Sequence, residues 1–210
     1  MSAEPPSHSP EENLAFLRSI VDGAGRTRMA GGVAYMAGGL LYGLQCLFHW
    51  GQAEGLIRWP GWASLAFVVG ITTTFLIVLV AAIRHDRDAG FRGSTANRAL
   101  NATFGGAGLA NLAMVVVFGV NAARLQSFQV WLLYPAVVFA LQGAVWYVMH
   151  MLQRRAWMLA TAIGWLLAAV ALGLLNGTPY YLMVCTAALF GLMALPGWIM
   201  LREARTQAGA

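Results

Sequence analysis

Six long apolar stretches dominate the chain, at residues 29–50, 61–84, 99–123, 129–152, 156–176 and 179–201. Each is long enough to cross about 30 Å of hydrocarbon as an α-helix, which satisfies its own backbone polar groups. The pattern predicts an all-α fold, a polytopic transmembrane bundle of six spans. Within the first span Gly31, Tyr35, Gly38, Tyr42, Gln45 and His49 recur at alternating steps of four and three residues. That spacing puts all six on one helix face, which is expected to be buried against other protein.

Ahead of the first span the pattern changes. Residues 1–8 are polar and rich in Ser and Pro, as in a disordered tail. Ser9-Pro10-Glu11-Glu12 is a helix start: Ser9 caps, Pro10 suits the first helical position, and Glu12 completes a capping box. Leu14, Phe16, Leu17, Ile20 and Val21 oppose Arg18, Ser19 and Asp22 until Gly23 and Gly25 end the helix. Residues 9–25 therefore read as a short amphipathic helix, cytoplasmic or interfacial, followed by a transmembrane domain at 29–201 and a tail at 202–210.

Polar residues single out particular spans. The third carries Asn97, Asn101, Gly105, Gly108 and Gly119 on one face, with Asn111 at its margin. Small residues admit a neighbouring backbone and amides bond between helices, so this span is expected in the middle of the bundle, against the striped face of the first. The fourth places Pro135, Gln142, Trp146 and Gln153 on one side, with a kink expected at Pro135. Thr72-Thr73-Thr74 in the second span read as packing residues that bond back to their own helix. The sixth is expected to bend at Leu195-Pro196-Gly197-Trp198, and Asn176-Gly177-Thr178-Pro179 reads as a tight turn. Tyr42-Gly43-Leu44-Gln45-Cys46 resembles Phe139-Ala140-Leu141-Gln142-Gly143, as an inverted three-plus-three repeat would require, but the match does not extend to the other spans.

Composition adds orientation. The chain is 59% hydrophobic and 10% charged with net charge +5, and every one of its 13 basic residues is Arg. A basic chain can mark a nucleic-acid binder, but these Arg residues sit between spans, which excludes that partner. Counted with the N-terminus inside, Arg18, Arg26, Arg28, Arg84, Arg87, Arg92, Arg98, Arg154, Arg155, Arg202 and Arg205 face the cytoplasm, and only Arg58 and Arg124 face out. The rule places both termini in the cytoplasm of a bacterial inner membrane protein.

Chemistry is defined mostly by absence. No Asp, Glu or Arg lies mid-span, which argues against ion-coupled transport through a buried carboxylate, and no Lys is available for a Schiff base. No hydrolase, P-loop or zinc-protease motif occurs, so enzyme activity is not indicated. Cys46, His49 and Cys185 would form a thiophilic metal site only if the first and sixth spans touched, and an inert cysteine pair is the plainer reading. No haem pair or other cofactor is called for. Tyr42, Gln45 and His49, with Asn101, Asn111, Gln142 and Trp146 as partners, suit either a hydrogen-bonded helix interface or a site for a neutral or amphiphilic ligand such as a lipid, a quinone or a small metabolite.

The segment Glu12-Asn13-Leu14-Ala15-Phe16-Leu17-Arg18, the Gly-rich first span and Leu195-Pro196-Gly197-Trp198 resemble those of small bacterial six-span membrane proteins without assigned activity. The resemblance implies the fold and brings no site residue with it. Two functional readings follow from the residues. One is a non-enzymatic accessory or sensory membrane protein, whose helix 9–25 and Arg84–Arg98 loop engage a cytosolic protein. The other is a small transporter or binder that uses the polar stripe. Apart from the lipid bilayer, the sequence names no partner and sets no oligomeric state.

Overall fold

A computed structural model describes residues 29–88 and 95–208, with side chains described at 30–85 and 102–206. The expected helix at 9–25 lies outside the described residues. Among the described residues six helices are long and apolar enough to cross a membrane, and the fold is an all-α transmembrane bundle. They are α1 (Met29–Ala53), α2 (Gly61–Asp88), α3 (Thr95–Leu125), α4 (Phe128–Gln153), α5 (Ala156–Leu174) and a composite sixth span. The sixth consists of α6 (Tyr180–Ala188), a π-helical turn (Leu189–Ala194) and α7 (Leu195–Ala208).

Local chemistry sets the boundaries. Gly55, at φ +73°, ends α1: its N–H bonds to the Gln52 carbonyl at 3.0 Å and that of Leu56 to the Gly51 carbonyl at 2.8 Å. This is the Schellman arrangement, which needs a residue tolerant of left-handed backbone. Gly177, at φ +80°, is instead the third residue of a β-turn closed by the Thr178 N–H on the Leu175 carbonyl at 3.0 Å, in the expected turn between α5 and α6. The loop expected at Arg84–Arg98 is shorter than that, because α2 runs on through Asp88 and α3 starts at Thr95. In the sixth span the irregularity falls one turn before the expected bend. Pro196 has no N–H and its ring collides with the carbonyl four residues back, and the widened turn at Leu189–Ala194 relieves both.

The helices pack in chain order as a ring: α1 on α2, α3 on α4, α4 on α5, α5 on α6, and the sixth span back on α1. Among the described residues α2 and α3 share no packed interface. The tightest junction is between α1 and the sixth span. A β-carbon on Gly39 would lie 2.7 Å from the Leu189 carbonyl oxygen, and one on Gly197 would lie 2.7 Å from the Cα of Met36. Backbone meets backbone at this crossing.

The third span is therefore not central, as its amides and glycines led us to expect. None of its 18-residue apolar window is buried, against 33% for the sixth span. Its glycines do not serve a helix crossing either: β-carbons on Gly105, Gly106 and Gly108 would meet nothing within 4 Å. The middle belongs to α1, α4, α5 and the sixth span, around Trp146, Trp165, Leu172 and Tyr181. At one end of the bundle Arg155, on the two-residue connection from α4 to α5, is ion-paired with Glu203 of α7.

Candidate functional site

The polar residues of the spans gather in three places. The innermost lies across the middle of the ring. Tyr35 donates its hydroxyl hydrogen to Gln142 Oε1 at 2.8 Å and accepts from Trp146 Nε1–H at 2.5 Å. Its ring meets Trp146 edge-on, with centroids 5.3 Å apart, and reaches Phe104 of α3 at 6.2 Å. Trp146 is fully buried and Tyr35 nearly so. The Trp165 indole nitrogen is buried without a partner. Gln142 and Trp146 are thus engaged by the stripe, through Tyr35 rather than through Gln45 or His49.

A second group lines the unsealed α2–α3 side. Tyr42 packs its ring on Phe75 of α2, centroids 5.3 Å apart. Across the seam, the Tyr134 hydroxyl donates to Asn111 Oδ1 at 2.7 Å, joining α4 to α3. All four side chains are only partly buried. One turn along the stripe from Tyr42, Gln45 Oε1 is buried and has no hydrogen-bond partner. A buried acceptor left unpaired in an apolar setting is costly, which makes it a natural point for a donor from outside the chain. The Asn101 side chain lies outside those described.

The third group sits at the end of α1. His49 Nδ1–H donates to Gln52 Oε1 at 3.0 Å, and Gln52 Nε2–H donates to Ser64 Oγ at 2.6 Å, tying α1 to α2. His49 is engaged by Gln52 of its own helix. Cys185 of α6 belongs to the buried core and Cys46 of α1 packs against that core, on the seam between the two helices. Among the described residues no three His, Cys, Asp or Glu side chains gather as metal ligands.

Sequence reasoning missed Tyr134 and Tyr181 as partners. The signal was present: a phenol inside an apolar span needs an acceptor. Tyr181 finds the Leu132 carbonyl at 2.5 Å, as Tyr134 finds Asn111.

No protein family, curated protein or solved structure matches this chain.

Proposed function

We propose that this multi-pass protein lies in the bacterial inner membrane, with both termini cytoplasmic, and binds a neutral amphiphile of the lipid or quinone class in the seam between α2 and α3. The observation that carries the reading is that this is the one unsealed junction in a sequential ring of the described helices. Its walls carry hydroxyl and amide groups and no charge: Tyr42 on one side, Tyr134 with Asn111 on the other. The seam opens sideways toward lipid, so a ligand arrives from the bilayer, which favours a long apolar molecule with a small polar centre over a water-soluble metabolite. The accessory reading draws on residues 9–25, outside the described residues, and the described helices add nothing to it.

Protein reconstituted in vesicles should bind a short-tailed benzoquinone or a diacylglycerol saturably, followed by the fluorescence of Trp131, whose ring stacks on that of Tyr134 at 5.1 Å. The double variant Asn111→Leu/Tyr134→Phe should weaken binding roughly tenfold, about 1.4 kcal/mol, while remaining folded. Undiminished binding in that variant, or no saturable binding of either compound, would remove the reading. A shift to a dimer that Gly105→Leu dissolves would instead assign the seam to a second copy.

Arg distribution supports the orientation, eleven residues against two as named above. A reporter that works only outside the cytoplasm should be silent when fused after Ala210 and active in the α1–α2 loop. The reverse pattern would invert the topology.

A further inference from the structure

The α1–α6 seam brings Gly39, Gly43 and Cys46, spaced by four and three residues, to one face. On the opposing span the Leu189 carbonyl approaches Gly39 and the Phe190 ring approaches Gly43. The glycines draw the two backbones together, and along the same seam Cys46 packs against the buried cluster that contains Cys185. A disulfide needs Cα atoms about 4.4–6.8 Å apart, closer than helices with ordinary side chains approach. The pair is unequal: Cys46 is partly exposed, and Cys185 is 3% exposed.

We infer that Cys46 and Cys185 form a redox-active dithiol, which converts to a disulfide linking α1 to α6 by exchange with a neutral, lipid-soluble disulfide. Cys46 is the attacking thiol because it is the accessible one, and Cys185 resolves. The Cys46 sulfur attacks one sulfur of the reagent, its S–S bond breaks, and the departing thiolate takes the Cys46 proton. The Cys185 sulfur then attacks the Cys46 sulfur of the mixed disulfide, expelling the second thiolate, which takes the Cys185 proton. Both cysteines are oxidised and one reagent disulfide is reduced to two thiols. Dithiol and disulfide are both neutral, so neither state buries a charge in the apolar seam. A two-thiolate metal site would bury charge, and His49 is committed to Gln52.

The test uses the full chain in lipid vesicles treated with dithiodipyridine, an uncharged aromatic disulfide, and read by intact mass. Wild type should lose both free thiols and retain no pyridyl group, and reductant should restore both thiols. Cys185→Ala should trap one pyridyl group on Cys46, and Cys46→Ala should leave Cys185 unmodified. Should either variant fail to fold, wild type alone decides. A retained pyridyl group on wild type, or two thiols still free when the unfolded chain reacts fully, overturns the inference.

Discussion

Gly39→Ala is expected to destabilise the bundle by about 3 kcal/mol or more, at the upper end of the cost of overpacking a core. The added methyl would stand 2.7 Å from the Leu189 carbonyl oxygen and 2.8 Å from the Cα of Ala194. Both are backbone atoms, so no rotamer change relieves the clash and the helices themselves must part. Compare Gly43, whose added methyl would meet as its nearest atoms those of the Phe190 ring, from 2.8 Å, a half-buried side chain that can give way where backbone cannot. On α3 the same substitution at Gly105 or Gly108 meets nothing and should be tolerated. The check is thermal unfolding in detergent, read as the temperature at which the monodisperse peak is lost on size exclusion. The large drop belongs to Gly39→Ala, with Gly105→Ala near wild type. Equal drops for the two would mean that the α1–sixth-span crossing is not the tightest junction.

That contrast also explains how far the sequence could be read. Span number, span limits and the turn at Asn176–Pro179 follow from apolar length and from Gly and Pro, which act locally, and the structure has them nearly where expected. The striped face of α1 is buried only at Tyr35 and Gly38; Gly31 is exposed, Tyr42, Gln45 and His49 are partly buried, and the close crossing uses Gly32 and Gly39, off the stripe. Its neighbours were not legible. Glycines and amides on α3 carry the same signature whether a helix crosses them or an open cleft does, and hydropathy cannot separate the two. The π turn was displaced from Pro196 because the ring clash acts on the turn that precedes it. Tyr134 escaped notice since it looks like an ordinary aromatic residue until its partner on another helix is known.

Tyr35→Phe is expected to cost about 2 kcal/mol, and the argument turns on what the lost hydroxyl leaves behind. Hydrogen bonds between membrane helices average about 0.6 kcal/mol and reach about 1.7, because an unfolded chain in lipid also finds partners. Tyr35 should lie above that range, since its hydroxyl serves two groups at once, accepting from Trp146 and donating to Gln142. Trp146 is 0% exposed, so neither water nor a lipid head group replaces the acceptor it loses. An orphaned buried donor costs about 1–3 kcal/mol, more than the bond itself contributed. Nor can Trp165 compensate, because it brings only another indole N–H, already unpartnered. The measurement is a double-mutant cycle with Trp146→Phe. If the orphaned N–H carries the cost, Tyr35→Phe in the Trp146→Phe background should be cheaper than in wild type by roughly 1 kcal/mol, since the donor left without an acceptor is then gone. Strict additivity would mean that the orphaned indole N–H carries none of the cost, which would then belong to the bond that Tyr35 donates to Gln142.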